Sequence, residues 1–266
     1  DNYVLTVDAN GDAGWEAASS GVSSDSDGNT VGGSNAGDSI TSGERNTFFG
    51  KDAGTAVTAG GYHTAFGWGA LKSYNSSGYS NTAIGVEAMQ NTTSGQNTTG
   101  VGHAALKSNT SGTQLTAVGS QALWNNTTGS YSIAVGNSAL KDNTTGQYLV
   151  GLGYLALTNN TTASYNIGVG YRAGENITTG YDNILIGKDA GRTATTAINN
   201  FIAIGHNAFK TSTSGHSNVM VGKSAGETIN SNKNVAVGYE ALADATSSEE
   251  SVFIGYGAGG SITTGS

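Results

Sequence analysis

The sequence predicts an all-β parallel solenoid, a β-roll of about fourteen 17-residue coils behind a short N-terminal strand or hairpin. Three observations predict it. A glycine returns at nearly constant spacing from Gly33 to Gly255. Particular residue types return at constant offsets from that glycine. The composition joins 42 glycines in 266 residues to a complete lack of proline and cysteine.

The marking glycines run Gly33, Gly50, Gly67, Gly85, Gly102 and so on, 17 apart except for two steps of 18 and one of 16. Three residues after each stands an alanine in fourteen of fourteen units, among them Ala88, Ala122, Ala139 and Ala156. Just before the glycine, thirteen of fourteen units carry a large apolar residue, such as Ile84, Val118, Val135, Ile186 and Ile204; Gly32 breaks the column. Two positions earlier the residue is always β-branched, Thr up to Thr116 and Ile or Val from Ile133. Between these columns lies a mostly small residue, for example Ala83, Ala117, Ala134 or Ala203. Eight residues after the glycine, Thr occurs in twelve of fourteen units, including Thr93, Thr110, Thr127, Thr144 and Thr263.

Large and small residues thus alternate in stretches such as Ser132-Ile133-Ala134-Val135-Gly136, a period of two. β-branching favours strand over helix, and a glycine in every unit rules out helical repeats. Each unit therefore reads as a coil with two short strands, one ending at the marking glycine and one near the Asn-Thr-Thr segment. Ile84, Val118, Val135, Ile186 and Ile204 are expected on the buried face, and with the alanine column they form the predicted core. Ala83, Ala117 and Ala134 are expected to point the other way, as a candidate lateral contact between subunits. Coils stacked about 4.8 Å apart give a rod about 65 Å long. The alanine column is expected where the interior has room for one methyl, and the Thr column where hydroxyls bond along the rod.

Residues 1–28 precede the repeat domain, 29–266. Tyr3, Leu5 and Val7 alternate like a strand, Asn10-Gly11 signals a hairpin, and Trp15 closes the partner strand. These four apolar residues are further candidates for subunit contact. Residues 16–28, rich in Ser, Asp and Gly, read as a linker. A first residue of Asp rather than Met is expected of a processed product or of an engineered segment, in which any export signal would already have been removed.

Units such as Asn81-Thr-Ala-Ile-Gly-Val-Glu-Ala-Met89 and Asn234-Val-Ala-Val-Gly-Tyr-Glu-Ala-Leu242 resemble the head repeats of trimeric autotransporter adhesins, the YadA-like heads. They are still more similar to the NTAIG…AL…NTTG arrays of phage tail-fibre and bacterial surface proteins, and the opening Asp1–Ala17 is similar to a segment that precedes such arrays. The resemblance covers residues 29–266. It implies a non-enzymatic left-handed parallel β-roll, usually trimeric; the unit here is longer than in the adhesin heads.

Other readings are weaker. A net charge of −8 disfavours nucleic acid, and no apolar run reaches the roughly 18 residues of a membrane helix. Asp8-Ala9-Asn10-Gly11-Asp12 starts like a calcium loop, but Ala13 and Ser19 stand where a glycine and an acid are needed. His63, His103, His206 and His216 lie in different coils and are expected on solvent-facing turns. Sequons such as Asn126-Thr127-Thr128 and Asn143-Thr144-Thr145 come from the repeat itself rather than from glycosylation. Ice binding needs two outward Thr columns, and adjacent threonines point to opposite faces. Tyr62, Tyr131, Tyr148 and Tyr165, with Trp124, are expected as a stacked ladder at a corner, with subunit packing or sugar binding as alternatives. Glu87, Asp189 and Glu240 occupy turns of separate coils, and no triad, paired-carboxylate cleft or phosphate loop is visible; no cofactor or metal is expected. A polysaccharide-cleaving enzyme therefore ranks below two structural roles outside the cell, on a cell surface or on a virion. One is a trimeric tail-fibre or adhesin segment that meets a host glycan or other receptor. The other is a filament subunit whose residues 1–15 complete the neighbour's open solenoid edge, since the last coil is expected to lack a cap.

Overall fold

The computed structural model describes residues 3–7, 13–17, 22–194, 198–212, 215–244, 248–260 and 262, the first two segments as backbone. Every described element is a β-strand. β1 (Tyr3–Val7) and β2 (Ala13–Ala17) form an antiparallel pair with Leu5 opposite Trp15. This is the expected hairpin. Its Asn10-Gly11 turn, and the contacts expected of the Tyr3, Leu5, Val7 and Trp15 side chains, lie outside the described residues, as does Thr263.

The other strands form one fifteen-stranded sheet in strict chain order. It comprises β3 (Val22–Ser24), β4 (Thr30–Gly32) and thirteen three-residue strands, from β5 (Thr47–Phe49) through β10 (Ile133–Val135) to β17 (Val252–Ile254). From β4 onward all pairings are parallel and in register: Ala134 stands over Ala117 on one side and Gly151 on the other. The chain is a parallel β-solenoid. Each coil leaves its strand at the marking glycine, whose N–H continues the ladder, as Gly136 does to the Val118 carbonyl at 2.8 Å.

One strand per coil is present among the described residues, not two. Two or three non-glycine positions in each coil from Gly33 to Gly238 have left-handed φ, for example Tyr131 at 58°, Ser138 at 56° and Leu140 at 52°, and such residues cannot continue a strand. Near Thr127 the coils still bond to one another. The Thr127 N–H and hydroxyl both reach the Thr144 carbonyl, at 2.9 and 3.0 Å. The Thr hydroxyls therefore bond along the rod, to carbonyls rather than to each other.

The two faces of the strand are the reverse of the expectation. Ala83, Ala117 and Ala134 are fully buried, so they cannot form a lateral contact; Ile84, Val118, Val135, Ile186 and Ile204 are 36–39% exposed and lie outside the core. The alternation was right, but the coil is too narrow for the larger set. A Cβ on Gly151, in the same inward column as Ala134, would lie 3.0 Å from Leu140 Cγ, and one on Gly100 would lie 2.9 Å from Met89 Cγ. The alanines after the glycine, including Ala88, Ala122, Ala139 and Ala156, are fully buried as expected.

Inward residues compensate in size. In the coils where the strand sends in Ala83, Gly100, Ala117, Ala134 or Gly151, the position four after the marking glycine is large: Met89, Leu106, Leu123, Leu140 and Leu157, all buried. Where the strand sends in Phe48 or Leu185, that position is Gly54 or Gly191, and a Cβ on either would lie 2.6 Å from the large side chain. Close packing sets this exchange, because the space between these two inward positions, at crystal-like density, does not hold two bulky side chains. Gly168 and Gly174 are both small, and Leu157 and Leu185 of the neighbouring coils fill their space.

Buried asparagines close the corners. The Asn46 Oδ1 accepts the His63 N–H at 3.0 Å, and Asn183 Oδ1 accepts the Phe201 N–H at 3.2 Å. In the middle coils another column takes over: Asn126 Nδ2 donates to Asn109 Oδ1, and Asn143 Nδ2 to Asn126 Oδ1, both at 2.8 Å. The amide nitrogens of the Asn126 and Asn143 sequons thus point into the core, away from any glycan-transferring enzyme.

Val22–Ser24, expected in a linker, instead joins the main sheet. β3 pairs antiparallel with β4 and covers the first edge of the parallel stack. Its turn is held by Asp25, whose Oδ1 accepts the N–H groups of Asn29 at 2.8 Å and Asp27 at 3.1 Å.

Candidate functional site

The inverted faces define the main surface of the rod. Outward from β5 to β17 stand two columns, one beginning Thr47, Thr64, Thr82 and becoming Ile133, Val150, Ile167, the other running Phe49, Phe66, Ile84, Val118, Val135, Ile186, Ile204 to Ile254. Neither column holds a charged residue. Ile133 is 44% exposed, and the top rung opens further, with Ile254 at 72%. Beside them, one residue past the glycine, exposed Trp68, Val86, Tyr154, Tyr171, Tyr239 and Tyr256 widen the apolar surface on their rungs, while exposed Lys51, Lys188 and Lys223 stand in the same column. With a rise of about 4.8 Å per coil and about 7 Å between columns, the charge-free strip measures about 60 by 10 Å. That matches or exceeds the largest apolar patch of an ordinary monomer, about 300–600 Å². The first five rungs pair threonine with an apolar residue, and later rungs are aliphatic in both columns.

The tyrosine ladder is present in part. Tyr131, Tyr148 and Tyr165 stack at centroid distances of 5.0 and 5.1 Å with planes 3° apart, whereas Tyr62 lies apart from them, tilted by 55° against Tyr79. Trp124 is not part of it; it carries Lys141 Nζ over its ring at 5.0 Å. A second stack joins Tyr154 to Tyr171 at 5.5 Å.

The titratable residues are dispersed. His103, His206 and His216 are exposed on turns. His63 is a correction: it is fully buried, takes the place of an asparagine in the corner column, and accepts the Asn81 N–H on Nδ1 at 3.3 Å. The ring packs edge-on against Tyr74 at 4.6 Å. Burial holds its pKa down at about 4, against a weaker opposing pull from the Gly78 carbonyl. Glu87 is taken up by Lys107 at 2.9 Å, and Asp189 lies 3.8 Å from Arg192. No group of three or more His, Cys, Asp or Glu suited to a metal occurs among the described residues, and no helix is long and apolar enough to cross a membrane.

The buried asparagines and His63 escaped the sequence reading, although Asn recurs four residues before the marking glycine at Asn29, Asn46, Asn81, Asn166, Asn183, Asn218 and Asn234. No protein family matches the chain, and neither curated proteins nor solved structures show significant similarity to it.

Proposed function

We propose that this chain is a non-catalytic segment of an extracellular fibre, of the kind found in phage tail fibres and surface adhesins, in which three copies pack side by side along their outward apolar columns. The observation that carries this reading is the charge-free exposed strip running the length of the solenoid. Water contact along such a strip is unfavourable by about 25 cal/mol per Å². A second rod of equal length and repeat is the partner that matches it rung for rung. A strip of about 600 Å², widened at the rungs of Trp68, Val86, Tyr154, Tyr171, Tyr239 and Tyr256, approaches the roughly 800 Å² per partner of a stable interface. The likeness of the repeats to adhesin heads favours three copies over two. The end-to-end filament is the alternative.

Sedimentation velocity and light scattering test both. The expected result is one discrete species of three times the chain mass, at concentrations from 1 to 50 µM, about the range in which interfaces of this size assemble. The variant V135K/I186K/I204K is expected to sediment as a monomer with its β circular dichroism intact. A wild-type monomer throughout overturns lateral assembly. Mass that climbs steadily with concentration selects the filament.

A further inference from the structure

The tyrosine ladder ends abruptly, and its end has the makings of a site. Three successive turns read Gly129-Ser130-Tyr131, Gly146-Gln147-Tyr148 and Ala163-Ser164-Tyr165; the next reads Gly180-Tyr181-Asp182. The aromatic moves one position earlier, and an aspartate takes its place in the column. Nothing aromatic therefore covers the far side of Tyr165, which at 56% is the most exposed ring of its stack. Beyond it lies an open recess of about 480 Å³, bounded by Thr162, Ser164 and Tyr165 of one coil and Thr179, Tyr181 and Asp182 of the next.

From this juxtaposition we infer that the recess is a carbohydrate subsite that holds one neutral pyranose ring. A tyrosine face carries negative π density and attracts the slightly positive C–H groups on the flat side of a sugar ring. Tyr165 offers such a face, held in plane by the stack beneath it. The Asp182 carboxylate has no cationic partner among the described residues, and a carboxylate can accept two neighbouring sugar hydroxyls at once. The exposed Thr162 and Thr179 hydroxyls add donors and acceptors on the rim. The volume falls within the 300–1,000 Å³ range of small-ligand sites, with an apolar floor and few polar groups. The negative Asp182 disfavours acidic sugars, so hexoses and N-acetylhexosamines are the ligand class.

The recess lies at the Tyr165 end of the ladder, and that end gives one site per chain. The gain in avidity from several sites on a fibre rests on lateral assembly; occupancy of a single site does not. Saturation-transfer NMR with methyl glycosides of glucose, galactose, mannose, N-acetylglucosamine and glucuronic acid reads occupancy per chain, whatever the assembly state. The expected result is transfer to at least one neutral glycoside and none to the glucuronide. Y165A is expected to abolish transfer, Y165F to retain it, and D182N to weaken binding about tenfold or more, the loss that follows when a charged hydrogen-bond partner is removed. Absence of transfer from all four neutral sugars overturns the inference. So does transfer that survives in Y165A while its circular dichroism matches wild type.

Discussion

Acid should open this rod from one place, the coil that buries His63. The ring is neutral in the folded state with its pKa held down at about 4, whereas the open chain titrates at 6.5. Between those values the unfolded coil binds a proton that the folded coil refuses. His63 therefore leaves stability undiminished above pH 6.5, and stability falls as the pH drops from 6.5 towards 4. The full loss is the 2.5-unit difference at about 1.4 kcal/mol per unit, or about 3.4 kcal/mol. By pH 5 about 2 kcal/mol of it has gone, an increase of roughly 25-fold in local opening. Because solenoid coils exchange with their neighbours in a near one-dimensional manner, the effect is local. The N–H groups of Thr64 and Asn81, bonded to the Asn81 carbonyl at 2.8 Å and to His63 Nδ1 at 3.3 Å, should report it. The assay is hydrogen exchange at pH 7.5 and 5.0, expressed as protection factors so that intrinsic rates cancel. His63→Asn restores the usual residue of the corner column and supplies the same acceptor without titrating in this range. In wild type these two amides should lose about 25-fold protection on acidification beyond whatever His63→Asn loses. Equal losses in the two proteins would refute the reasoning.

Two further predictions concern the stack itself. Gly170 has φ +132°, and a Cβ there would lie 2.6 Å from the Gly187 carbonyl oxygen. Gly170→Ala should therefore lose about 3 kcal/mol or more, read as a lower urea midpoint with loss of exchange protection in the strands Ile167–Val169 and Ile184–Ile186. Asn126→Ala removes the bonds to Asn109 and Gly129 and takes an acceptor from Asn143, for about 2–3 kcal/mol. The neighbouring Asn125→Ala, which gives up one part-buried bond to Asp142, should lose under about 1 kcal/mol in the same titration.

The repeat, the parallel stacking and the alanine column were legible because each rests on spacing, and spacing survives in a bare sequence. Which face of the strand turns inward was not. Alternation says that Ile133 and Val135 share a side and Ala134 takes the other; it carries no information about the width of the coil. The usual rule places the larger set inside, and it fails here because Leu123 and Leu140 already fill the interior from the turn. The second strand failed for a related reason. Residues such as Ser138 and Leu140 adopt left-handed φ without being glycine, and the ladder bonds across coils that hold them there are visible only in three dimensions. His63 looked like a surface histidine because its column mixes Asn, Thr, Leu and Ser. The carbohydrate recess depends on a one-residue shift of a tyrosine, a signal present at Tyr181 but without meaning until the ladder is seen.

The reciprocal sizing of the inward positions also decides how such a rod can grow or shrink. Residues 117–133 and 134–150 begin with the same small inward alanine and bring the same leucine from the turn, Leu123 and Leu140. Excising one such module leaves an identical junction and shortens the shaft by a single rung of about 4.8 Å. Splicing Phe48 or Leu185 onto a coil that lacks its glycine places two bulky groups on one level. Duplication and loss are therefore tolerated inside the Ala–Leu block and penalised at its borders. The middle of the chain can serve as an adjustable ruler, while its ends keep their individual identities.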